Sequence, residues 1–99
     1  MIYVWTWDGT YFGYLDGDNL WTYDGKHVGK LCDKEIFDKD GLYMGELEIG
    51  NRLITDLSKK SKSVSRFTPC ANRASHLHSE NYVAYAMRAG YEDFPHPDR

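Results

Sequence analysis

The acids Asp8, Asp24 and Asp40 stand 16 residues apart, and each is followed by glycine. Carboxylates recurring in register could hold a cation. The same dipeptides also suit tight turns, and an isolated aspartate at a hairpin tip lacks the several converging oxygens that calcium requires. The turn reading is the stronger, with no metal site. His76 and His78, near Cys70, invite a zinc or nucleophile reading. Tetrahedral zinc takes four ligands, and catalytic zinc three. In an extended chain these two imidazoles face opposite sides, and His27 and His96 lie far off in sequence. A Cys/His dyad has no third group at a recognisable spacing to orient it. The phrase "DGxxxG" lacks the trailing Lys-Ser/Thr of a phosphate loop. The expectation is no catalytic residue, no cofactor and no enzyme activity.

Aromatic and basic side chains carry the one binding signal. Trp5, Trp7, Tyr11, Tyr14, Trp21, Tyr23 and Tyr43 recur along the first half of the chain. Arrays of this kind stack on sugars or unpaired bases. Lys59, Lys60, Lys62 and Arg66 could track a phosphate backbone, with binding that falls as salt rises. Against this, a chain of 99 residues with 15% aromatics needs most of those rings for its own core or an interface.

The elements that must position these groups repeat. Gly13, Gly29 and Gly45 follow the Asp-Gly pairs at the same offset, then Leu15, Leu31 and Leu47. Apolar pairs Val4-Trp5, Leu20-Trp21 and Ile36-Phe37 precede them. Each unit reads as a β-hairpin: β-formers enter and leave an Asp-Gly of the kind that suits a two-residue type I′ turn. The second glycine, inside a strand, gives room for a neighbouring backbone or ring. On the outgoing strands Phe12, Val28 and Met44 point one way, and Tyr11/Leu15, His27/Leu31 and Tyr43/Leu47 the other. A fourth unit begins at Leu53–Asp56 but has Leu57 where glycine is due. Pairing of that strand with residues 2–4 would close the structure and remove its edges; an open three-unit sheet is the alternative.

Charge is segregated. Residues 1–57 carry a net of −6, residues 58–79 a net of +5 and residues 80–99 a net of −2. The basic connector either complements the acidic body or holds an anionic partner. It reads as a loop or linker over 58–78. "SENYVAYAMRAG" then reads as a short helix, with Ser79 as N-cap, a stripe of Tyr82, Tyr85, Ala86 and Ala89, and Gly90 as C′ residue. Tyr91 and Phe94 could dock on the sheet. The division is 1–57 hairpin repeats, 58–78 basic linker, and 79–99 helix and docking tail. Cys32 and Cys70 lack paired spacing, no basic residue and apolar run mark a secretory signal, and no apolar run spans a membrane, so a cytoplasmic protein is expected.

"YLDGDNLWTYDGKHVGKL" resembles the repeat of bacterial four-fold beta-flower proteins, and the resemblance covers residues 2–57 through the three Asp-Gly pairs and Gly13, Gly29 and Gly45. It implies a mainly β fold of tandem hairpins around a pseudo-four-fold axis, and no particular activity. The expected function is a non-catalytic structural or interaction module, a homo-oligomer or a partner of another protein, with Trp21 and Phe37 as packing anchors. The alternative is a nucleic-acid-binding accessory protein using Lys59, Lys60, Lys62, Arg66 and exposed aromatics. A small hydrolytic or metal enzyme comes third.

Overall fold

A computed structural model describes residues 1–75 and 79–97. Its strands are β1 (Ile2–Thr6), β2 (Tyr11–Asp16), β3 (Asn19–Thr22), β4 (His27–Cys32), β5 (Glu35–Phe37), β6 (Tyr43–Glu48), β7 (Arg52–Asp56) and β8 (Tyr91–Asp93). Each pairs antiparallel with the next, and β1 also pairs with β7 in parallel, Trp5 opposite Arg52 and Thr6 opposite Leu53. Seven strands therefore form a closed barrel. The far edge of β7 is shared, because Ile54–Asp56 pair with β8. The open three-unit sheet is ruled out by the β1–β7 pairing.

Two local expectations need correction. The Asp-Gly turns are not two-residue type I′ turns. The Gly9 amide donates to the Thr6 carbonyl at 3.0 Å, and the Thr6 amide to Thr10 at 2.8 Å. Of Asp8 and Gly9 only the glycine has positive φ, at 90°. This is the three-residue loop in which a type I turn is followed by a left-handed residue. Asp8 favours it because Oδ1 accepts the Thr10 amide at 3.0 Å and the Thr6 hydroxyl. The two-residue turns lie between units instead, at Gly17-Asp18 and Asp33-Lys34.

The second correction concerns faces. In each of the first three units the register slips by one residue, as where Val4 faces Gly13 and Trp5 faces Tyr11. The bulge at Phe12 resets the alternation, so Phe12 and Leu15 both enter the core while Tyr11 stays outside it. Val4, Leu20, Ile36 and Leu53, equivalent positions of successive units, are wholly buried there. Phe94 joins them, and Val28, Leu31, Met44 and Leu47 pack against the cluster. The barrel is filled by side chains, as small barrels are. The in-strand glycines provide the expected room: a Cβ on Gly45 would stand 2.6 Å from the Phe94 ring.

The helix expected from Ser79 to Gly90 does not form; residues 79–88 are neither helix nor strand. Residues 63–75 and 79–88 instead run as a strap over the outside of the barrel. The amides of Val64, Arg73 and Tyr82 donate to the carbonyls of Gly41, Gly25 and Gly9, each at 2.8 Å. The strap thus visits the three Asp-Gly turns in reverse order, nine residues of strap per turn. Phe67 and Tyr85 add amide bonds to Lys39 and Trp7, at 3.1 and 3.0 Å. Amides committed to the barrel cannot serve an i→i−4 helical ladder.

Candidate interaction surface

The strap decides which aromatics face solvent. Trp5, Trp7, Tyr11, Trp21 and Tyr43 are all buried, and Tyr23 is half-buried. Trp5 Nε1 donates to the Glu80 carbonyl and Trp7 Nε1 to Ala86, both at 2.9 Å. The Tyr11 amide donates to Asn81 Oδ1 at 2.9 Å. Guanidinium groups stack above the indoles, Arg73 at 3.9 Å from Trp21 and Arg88 at 4.6 Å from Trp7. These rings anchor the strap, a packing role. Trp21 and Phe37, the expected anchors, are both almost fully buried.

The basic residues of the connector meet acids of the barrel. Lys59 lies 3.0 Å from Glu35 and 3.1 Å from Glu46, Lys62 lies 2.7 Å from Glu35, and Lys60 pairs with Glu92. Hydrogen bonds from Lys62 and Lys59 hold the Glu35 carboxyl below its ordinary range. Arg66 is exposed and makes no salt bridge with any described residue. The charge segregation of the sequence is thus largely matched within the chain.

Part of what the strap exposes is apolar. Val83 is 82% exposed and Tyr82 52%, with Tyr85 and Met87 beside them. Tyr82 stacks on Trp5 at 4.4 Å, Trp5 contacts Tyr11 at 5.7 Å, and Tyr11 meets the exposed Tyr3 edge-on at 6.2 Å. The Tyr85 hydroxyl abuts Gly50, next to Ile49, which is 76% exposed. Beneath the strap lies buried Arg52, its guanidinium 3.8 Å from the Tyr85 ring and donating to the Trp7 carbonyl at 3.2 Å. The result is an apolar patch on a pinned backbone, rimmed by aromatic rings. The sequence pointed to the rings under the strap and missed those on it, Tyr82 and Tyr85, because a helix would have turned them inward.

His27 is the one described histidine built into the barrel wall. It stacks between Trp21 and Phe67, at 5.1 and 5.0 Å. Nδ1 accepts the Cys70 amide at 2.9 Å, which leaves Nε2–H to donate to the Gly29 carbonyl at 3.1 Å. Burial pushes its pKa below the ordinary histidine value. Cys32 and Cys70 are free and exposed. His76 and His78 lie outside the described residues. A third cluster, Asp8 with Asp93 and His96, joins residues that the sequence keeps far apart.

A closed seven-stranded barrel of tandem hairpins with an added strand, belted by the described residues of its strap, defines a small, mainly β protein. Residues 1–90 match the family model of the 4-fold beta flower protein, and the chain belongs to that family. The match runs past the barrel and through the strap. No curated protein and no solved structure matches the chain. Among the described residues no helix is long and apolar enough to cross a membrane.

Proposed function

We propose that this protein is a cytoplasmic, non-catalytic interaction module that self-associates through the apolar surface of its strap. One observation carries the reading: Tyr82, Val83, Tyr85 and Met87 are exposed on a segment whose backbone is fixed to the barrel. Exposed apolar side chains on ordered backbone lose little entropy when a partner covers them. A second copy presents the same patch, so a two-fold contact is self-complementary. The barrel beneath is read as four petals around a pseudo-four-fold axis, the fourth made by β7 with β8 and supported by the matching burial of Val4, Leu20, Ile36 and Leu53.

Sedimentation of the full chain tests this. The protein is expected to run as a dimer or larger at micromolar concentration, and Val83→Asp with Met87→Asp as a monomer of unchanged thermal midpoint. A wild-type protein that stays monomeric overturns the reading. A salt-sensitive shift of single-stranded DNA, abolished by removing Lys60, Lys62 and Arg66, would move it to nucleic-acid binding.

A further inference from the structure

We infer that Asp8, Asp93 and His96 form a binding site for a first-row divalent transition metal, zinc being the probe that tests it. The three residues come from opposite ends of the chain. Asp8 sits in the first Asp-Gly turn, Asp93 ends β8, and His96 follows three residues later. Pairing of β8 with β7 brings them together. His96 Nε2 lies 3.1 Å from Asp8 Oδ2 and 3.6 Å from Asp93 Oδ2. One donor atom from each residue lies within 4.8 Å of the other two. Ligand atoms bonded at about 2.0–2.2 Å to one ion stand roughly 2.8–3.6 Å apart at neighbouring corners of an octahedron or tetrahedron. The imidazole is already at that spacing from both carboxylates.

Each carboxylate is also aimed. Asp93 Oδ1 accepts the Trp7 and Phe94 amides, both at 2.8 Å. Asp8 Oδ1 accepts the Thr10 amide and the Thr6 hydroxyl. Those bonds fix one oxygen of each group and turn Oδ2 toward the imidazole; Asp93 Oδ2 has only a long contact, 3.3 Å, from the Asp8 amide. Outer partners that orient ligating groups in this way are what a metal site requires beyond its ligands. A lone ion pair would need one carboxylate, whereas here two converge on a single imidazole. Their mutual repulsion is relieved by a dication. Asp93 and His96 also line a cavity of about 510 Å³, shared with Tyr43, Met44 and Thr55, in which water or a small anion could complete the coordination.

The equivalent aspartates are a built-in comparison. Asp24 and Asp40 occupy the same turn position, but Asp8, Asp93 and His96 are the only such triad among the described residues. Beside the first turn, Asp93 and His96 come within ligand spacing of the turn aspartate. One nitrogen and two carboxylate oxygens suit zinc, manganese or iron(II) better than a soft ion such as copper(I), and the imidazole disfavours magnesium and calcium.

Titration calorimetry of the full, untagged chain with zinc chloride tests the site, with magnesium chloride as comparison. The expected result is one zinc per chain, with affinity at least about tenfold weaker in His96→Gln and unchanged in His76→Gln with His78→Gln. The His96→Gln protein, measured in EDTA, should keep the wild-type thermal midpoint within a few degrees, which separates loss of a ligand from loss of the fold. Asp8→Asn is the second variant, expected to lose zinc as well. Absence of zinc binding by the wild type overturns the site. Wild-type affinity in His96→Gln overturns it equally, and would place the ion on other histidines or cysteines.

Discussion

Tyr82 and Gly9 meet backbone to backbone: the Tyr82 amide donates to the Gly9 carbonyl at 2.8 Å, and the Tyr82 carbonyl oxygen stands 2.0 Å from where a Cβ on residue 9 would begin. Gly9→Ala therefore both strains a residue at φ 90° and pushes the strap off the turn. Gly17, at φ 59°, has open space around it and isolates the first effect. Gly17→Ala is expected to cost about 1–2 kcal/mol, the ordinary left-handed penalty. Gly9→Ala should cost about 3 kcal/mol or more, because backbone cannot rotate out of the way as a side chain can. Urea unfolding of both variants checks the difference; equal losses would mean that the strap does not bear on the turn.

The ring of His27 donates from Nε2 and accepts at Nδ1, so it must be neutral to hold Cys70 of the strap. Burial lowers its pKa in the folded protein, with Lys30 and Arg73 adding to the effect. The unfolded chain then binds a proton at a higher pH than the folded one. Stability is full above about pH 6.5, the unfolded value, and is lost as pH falls below it toward the folded value. His27→Phe keeps a ring between Trp21 and Phe67 and removes the proton. Its thermal midpoint should fall less than that of the wild type between pH 7.5 and pH 5.5.

Glu46 is a buried acid whose Oε1 accepts the Tyr43 hydroxyl at 3.0 Å and Lys59 Nζ at 3.1 Å. Lys59→Met leaves that carboxylate with a weaker cation, since Lys34 is 3.7 Å away and largely exposed. A loss of about 1–3 kcal/mol is expected, the full cost of a broken buried pair being reduced by the partial exposure of Lys59. Glu46→Gln in the Lys59→Met background should recover part of it. Double-mutant analysis by denaturant unfolding measures the coupling, and additive losses would mean that the two groups act independently.

The barrel was legible because its repeat is written in side chains. Asp-Gly pairs at one spacing, flanked by Trp, Tyr, Val and Ile, specify hairpins whatever happens elsewhere. The strap was not, because its repeat is written in backbone. Val64, Arg73 and Tyr82 do the same job with unlike side chains, since what each gives its turn is a backbone N–H. The spacing of Tyr82, Tyr85, Ala86 and Ala89 satisfies a helix equally well. What decides against one is a set of bonds to residues near the start of the chain, which no local pattern records. For the same reason Asp8 read as a turn residue alone. Its neighbours Asp93 and His96 arrive only through the register of β8 on β7.

Asp93 faces Ile54 as Tyr11 faces Trp5, His27 faces Trp21 and Tyr43 faces Phe37. The next residue, Phe94, thus takes the place held by Phe12, Val28 and Met44, and it is 1% exposed with its ring edge-on to Phe12 at 5.3 Å. Under the pseudo-four-fold reading this side chain supplies the missing interior group of the fourth petal. Phe94→Ala should then cost about 3–5 kcal/mol, the usual loss for a buried phenylalanine. That corresponds to a fall in midpoint of roughly 12 °C or more for a domain of this size. Phe94→Met should cost far less, because Met44 already fills the equivalent place. A docked but dispensable tail would behave differently, with Phe94→Ala shifting the midpoint by only a degree or two and amide exchange in β7 unchanged. Faster exchange across Ile54–Asp56 in Phe94→Ala, with β2 to β4 still protected, is the pattern expected if the chain end completes the barrel.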